Sequence, residues 1–167
     1  DLPPDWVAIN KTTGALASPE ASSTDTNFGY DALRVPWELA LDWQWFQDPR
    51  DKELLDQFSF LGNTWRADDL LEATYTHAGT VASQYDYQTP AMYGGAIGYF
   101  TVADPAAASA VYEQKLAYLY MPDWSGWRQT LSYYDANWAW FGIALYTNEL
   151  PNLTAGLPTS FFNQTNV

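Results

Sequence analysis

The sequence predicts an all-α chain of helical hairpins, and three observations predict it. Apolar residues recur at helical spacing, as at Leu33, Trp37, Leu41 and Trp45. Two Asp-Pro junctions, Asp48-Pro49 and Asp104-Pro105, stand 56 residues apart, each dividing an aromatic helix from a more amphipathic one. Segment 133–148 is apolar nearly all round, which a helix tolerates only when other elements cover it. Together these describe an internal repeat in which apolar helices make an inner layer and amphipathic ones an outer layer. Three inner helices are too few to close a ring, so the expected unit, 1–167, is half of a larger helical array.

Taken in order, residues 1–29 read as largely irregular, with Pro3-Pro4 and the polar run 18–26 as turn formers and 5–9 as a short extended piece. The first helix is expected over 31–46, with Pro36 tolerated near its start. Asp48 reads as a cap and Pro49 as the first residue of a second helix, 49–61, carrying Leu54, Leu55, Phe58 and Leu61 on one side. Gly62-Asn63 is its expected C-cap. The connection 63–88 is expected to hold a helical turn at 68–73 and a hairpin-like loop at 75–80. A third helix, 89–102, contains Gly94, Gly95 and Gly98, poor helix formers that suit a helix packed closely on several sides. The fourth helix is expected over 105–120, a loop over 124–127, the fifth helix over 133–148 and an irregular tail beyond Pro151.

Composition narrows the function. The 167 residues are 47% apolar and include 9 Trp, 12 Tyr and 8 Phe, which excludes a disordered chain. Seven Lys and Arg against 20 Asp and Glu leave a net charge of −13, which repels phosphate backbones and anionic membranes. Nucleic acid and membrane are therefore not expected partners. With no cysteine and one histidine, His77, neither a thiolate site nor a histidine-rich metal site can form, and neither metal nor cofactor is expected. The start at Asp1 is not a signal peptide, which predicts a chain that begins after processing or part-way through a longer product. Asn10, Asn152 and Asn163 head Asn-x-Thr sequons, candidates for glycosylation in an extracellular or periplasmic protein.

The chemistry concentrates at 27–38, where a polar segment meets the first helix. Asp31 stands there with Tyr30 before it and Arg34 three residues on. An N-cap is the plain reading of Asp31, and an ion pair with Glu38 the plain reading of Arg34. Trp and Tyr also stack on the apolar faces of pyranose rings, so Trp6, Tyr30, Tyr133 and Tyr134, at loops or helix ends, are candidate sugar contacts. Most other aromatics are core. Asp135 reads as a cap for the fifth helix, or as a contact to a sugar hydroxyl.

The run Phe28-Gly29-Tyr30-Asp31-Ala32-Leu33-Arg34-Val35-Pro36-Trp37 resembles glycoside hydrolase family 8. So do 2–7 (LPPDWV), 90–95 (PAMYGG) and 133–141 (YYDANWAWF). The resemblance spans nearly the whole chain but only the C-terminal half of that family's domain. It implies an α/α six-hairpin barrel of which this chain is half, and an inverting endo-hydrolase of a β-1,4-linked glucan-like polysaccharide. It implies Asp31 as the general base, with Tyr30 and Arg34 in the same subsite. A carboxylate at a helix start beside an arginine suits that task. Inversion also needs a carboxylic acid across the scissile bond, in that family a Glu in a Ser-Glu-Gly-type motif, and no such motif occurs here. The expected partners are therefore a polysaccharide and either a missing N-terminal half or copies of this chain. The alternative function is a noncatalytic, sugar-binding or self-assembling structural subunit.

Overall fold

One helix, α4 (Pro90–Ala103), sits at the centre of the molecule with residues 91–100 all buried. The structure, a computed structural model, describes residues 2–19 and 26–156. Before α4 come α1 (Arg34–Phe46), α2 (Pro49–Asp56) and α3 (Ser59–Asp68); after it come α5 (Pro105–Val111) and α6 (Tyr133–Tyr146). Thr89 caps α4 by accepting the Met92 backbone N–H at 3.1 Å, and Pro90 opens it. α1 and α6 both pack against α4 and touch each other, while α5 also packs on α4 and α2 on α1 and α4.

Glycine explains how one helix fits between two. A Cβ on Gly94 would lie 2.0 Å from the Trp138 carbonyl oxygen, and one on Gly98 would lie 2.2 Å from that of Pro36. Backbones this close leave no room for a side chain, so the low helix propensity of glycine is outweighed by close contact with α6 and with the start of α1. The core around this seam includes Phe28, Leu33, Leu61, Met92, Ile97, Phe100 and Leu145. Each such side chain contributes roughly 1.5–3 kcal/mol when fully buried.

Several expected boundaries are corrected. The first helix begins at Arg34, because 31–33 form a turn in which the Arg34 N–H reaches only the Asp31 carbonyl. The expected helix 49–61 divides at Gln57-Phe58 into α2 and α3. The expected C-cap at Gly62-Asn63 lies inside α3, where a Cβ on Gly62 would meet the Tyr99 hydroxyl at 2.7 Å. α3 instead ends at Asp68, with Asp69 left-handed at φ 55°, so no helical turn occupies 68–73. Leu54 is exposed while Leu55, Phe58 and Leu61 are buried.

At 75–80 the expected tight loop forms: Tyr75 bridges to Val81, and the Thr76 N–H donates to the Thr80 carbonyl at 2.8 Å. The fourth helix changes pitch after Val111, to a π-helical turn over Tyr112–Leu116 and a 3-10 turn over Ala117–Leu119. The expected loop at 124–127 belongs to a small hairpin, β3 (Tyr120–Met121) with β4 (Gly126–Trp127). Near the N-terminus β1 (Ala8–Ile9) pairs with β2 (Leu16–Ala17).

The inner helices are not equally covered. Trp37, Leu41 and Trp45 of α1 are half-buried, and Trp140 of α6 is 51% exposed, so neither helix is enclosed all round as α4 is. The two are nonetheless clasped. Trp37 Nε1 donates to the Phe141 carbonyl at 3.0 Å, and Gln44 Nε2 to that of Leu145 at 3.0 Å.

Candidate functional site

The turn that leads into α1 is fixed by two other parts of the chain. Phe28, fully buried, exchanges both backbone hydrogen bonds with Tyr75, each at 2.8 Å. From the other side the Asp5 N–H donates to the Asn27 carbonyl at 2.7 Å. Asp5 Oδ1 then accepts three backbone N–H groups: Gly29 at 3.1 Å, Asp31 at 2.9 Å and Ala32 at 2.6 Å. Burial raises the Asp5 carboxyl above its ordinary range against these three donors, which favour its charged form.

The cap position of α1 is Leu33, which has no side-chain acceptor to give. Asp31 does not cap either. Its Oδ1 meets Arg34 Nη2 at 2.6 Å, with the Asp31 side chain 34% exposed. Arg34 therefore pairs back to Asp31 rather than forward to Glu38. Burial opposes the charge on Arg34, but the Tyr134 hydroxyl and the carboxylates of Asp31 and Glu38 outweigh it and push its pKa up. Arg34 donates to the Tyr134 hydroxyl, which itself donates to the Tyr30 carbonyl.

Four tyrosines cluster beside this ion pair, joined to it through Tyr134. Tyr30 packs edge-on to Tyr134 with centroids 5.6 Å apart and to Tyr85 at 6.4 Å. Its hydroxyl shares a 2.9 Å hydrogen bond with that of Tyr87, which is exposed. Burial first, then the bond to Tyr87, raises the Tyr30 phenol, so it stays protonated across the neutral range. The arrangement offers aromatic edges, hydroxyls, one carboxylate and one guanidinium on an open surface. Those are the groups that grip a polyhydroxylated ring: π-faces for C–H surfaces and charged partners for hydroxyls.

Three helix starts converge here. Ser132 caps α6 by accepting the Asp135 N–H at 3.0 Å, and its hydroxyl donates to Asp135 Oδ2 at 2.7 Å. Asp135 Oδ1 accepts the Ala91 N–H at 3.3 Å, at the start of α4. Asp135 thus ties α6 to the start of α4; the expected capping of its own helix is corrected, because Ser132 holds that position. Tyr134 meanwhile ties α6 to α1. The positive dipole ends of α1, α4 and α6 therefore gather near the tyrosines.

The remaining expected residues lie apart from this group. Trp6, 52% exposed, lines an apolar hollow of about 330 Å³ with Pro4, Leu16 and the exposed His77. Tyr133 is 86% exposed beside Tyr134 and makes no ring contact with the group. Asn10 is exposed in the β1–β2 turn, its Oδ1 accepting the Thr12 and Thr13 N–H groups at 2.9 Å. Asn152 Oδ1 accepts the Thr154 N–H and hydroxyl at 2.9 and 2.6 Å. Asn163 lies outside the described residues. Among the described residues no group of three or more His, Asp or Glu stands where it could hold a metal ion. None of their helices is long and apolar enough to cross a membrane.

Sequence reasoning missed Asp5, Tyr85 and Tyr87. The alternation Tyr85-Asp86-Tyr87 inside a polar loop was a usable signal, since two aromatics there have no helix face to serve. Asp5 had none, because its role depends on a contact across 26 residues.

No profile of a known protein family matches the chain. A stretch of 35 residues, 21% of the chain, is 57% identical to a protein described as a probable endoglucanase from Novacetimonas hansenii. That stretch spans a tenth of the relative's length, so the likeness is local.

Proposed function

We propose that this chain carries the general-base side of an inverting glycoside hydrolase of the family 8 type, acting within a β-1,4-linked glucan-like polysaccharide. The observation that carries the reading is Asp31: a partly exposed carboxylate at a converging set of helix starts, bound to Arg34 and relieved of capping by Asp5. Such a carboxylate accepts a proton from water as that water attacks the anomeric carbon. Arg34 orients it, and Tyr30, Tyr85, Tyr87 and Tyr134 line the sugar path. The proton for the leaving oxygen comes from a carboxylic acid outside this chain, on the half-barrel that completes the cleft. The half-exposed flanks of α1 and α6 are where that half packs. The local likeness to a probable endoglucanase supports the same substrate class.

The test is Asp31→Asn in the complete enzyme. General-base loss is expected to lower kcat about 10²–10⁴-fold, with binding of cello-oligosaccharides nearly unchanged because Asn keeps the shape of the site. Undiminished hydrolysis by this variant contradicts the assignment. A noncatalytic sugar-binding role predicts the same binding with no turnover in either form, and the wild-type assay separates the two.

A further inference from the structure

A helix start normally takes an oxygen from its own cap residue. Here the donors of the preceding turn, the amides of Gly29, Asp31 and Ala32, converge instead on one oxygen of Asp5. Asp5 is itself anchored, its N–H held by Asn27 at 2.7 Å. Gly29 keeps the seat open: a Cβ there would stand 2.9 Å from Asp5 Oδ2 and 2.8 Å from Thr74 Oγ1. Asp31 lies in the middle of this ring of donors yet contributes only its backbone N–H to it, while its carboxylate turns to Arg34. An aspartate at a helix start left to itself folds back onto nearby amides. The carboxylate of Asp5 occupies that place first.

We infer that Asp5 is a positioning residue for Asp31: it fills the amide ring of the turn at 29–32 and so keeps the Asp31 carboxylate directed at Arg34 and the open surface. The inference rests on the reading of Asp31 as the base. It assigns no direct contact with substrate to Asp5.

The experiment compares Asp5→Ala, Asp5→Asn and Asp31→Asn in the complete enzyme, reading kcat and KM together with amide hydrogen exchange at 29, 31 and 32. Asp5→Ala is expected to speed exchange at all three amides and to lower kcat roughly a hundredfold, the scale of a small misplacement of a catalytic group, with KM nearly unchanged. Asp5→Asn, which still presents an oxygen to the same donors, is expected to restore most of both. Full kcat in a folded Asp5→Ala enzyme overturns the inference, whatever its thermal stability, because a merely structural role moves only the latter. Unchanged exchange at the three amides overturns it as well. Where Asp5→Ala does not fold, Asp5→Glu carries the test, since it keeps the charge and displaces the oxygens by one methylene. The same kcat loss is expected, and full kcat again overturns the inference. Failure of the base reading is separately visible, as wild-type turnover by Asp31→Asn.

Discussion

Asp51, near the start of α2, is a charge-bearing side chain that the fold buries at a cost. It is 7% exposed, its Oδ2 has no partner, and it shares a hydrogen bond with Asp42 of α1. Burial first, then that bond and the charges of Asp42 and Asp48, raises its pKa above 3.8, with only Arg50 opposing them. A raised carboxyl favours the folded state while protonated. Its contribution is complete below the ordinary carboxylate value and is lost as pH climbs through the raised one. Asp51→Asn is therefore expected to stabilise the protein by on the order of 1 kcal/mol at pH 7.5 and to change little at pH 3.5. Urea unfolding at the two values checks this, and a loss of stability at pH 7.5 contradicts it. Asp31 poses a question of position. Its place before a helix argued for a cap, and its neighbours Tyr30 and Arg34 argued for a site. Residue order alone left that open, and the decision came from Asp5, a residue with no local reason to be singled out.

At the scale of elements the seam between α4 and its flanks dominates. Gly94→Ala gains about 1 kcal/mol of intrinsic helix propensity but places a methyl 2.0 Å from the Trp138 carbonyl oxygen. Overpacking of this kind costs roughly 1–3 kcal/mol or more, so a net loss of about 2 kcal/mol is expected in the same urea assay. A neutral or stabilising result would show that α4 and α6 are not in backbone contact. The glycines of this helix are legible as a sign of close packing, as is Asp48-Pro49 as a helix start. The break at Gln57-Phe58 was not, because Leu55, Phe58, Leu61 and Trp65 maintain apolar spacing straight through it. Gly62-Asn63 misled for the opposite reason. Glycine at a helix end and glycine under a crossing side chain look alike in sequence, and it is Tyr99 on α4, with Asp104, that distinguishes them. The change of pitch after Val111 likewise has no local marker: its surroundings include the stacked pair Tyr112 and Tyr146, 4.0 Å apart and contributed by different elements.

For the molecule as a whole, the described residues are mostly helical with two short hairpins, consistent with the all-α reading, and helices start at both Asp-Pro junctions. The proposed half-barrel bears on the uneven covering of the inner helices. α4 is enclosed, while Phe46 at the end of α1 and Trp140 on α6 remain more than half exposed. On the proposed half-barrel the complete protein covers both, and hydroxyl-radical footprinting of the chain with and without its completing half would show Trp140 protected only in the former. Equal labelling of Trp140 in both contradicts that packing. The acidic surface adds a constraint on substrate. With a net charge of −13, a neutral glucan is favoured over an anionic polymer.

The most direct test of the central claim is the anomeric configuration of the first sugar released from a β-1,4-glucan, followed by proton NMR before mutarotation. A base that delivers water from the far side of the ring inverts the centre, so the α-anomer is expected from the complete enzyme, with release slowed at least about a hundredfold in its Asp31→Asn form. Release of the β-anomer, or unchanged release by Asp31→Asn, would contradict it.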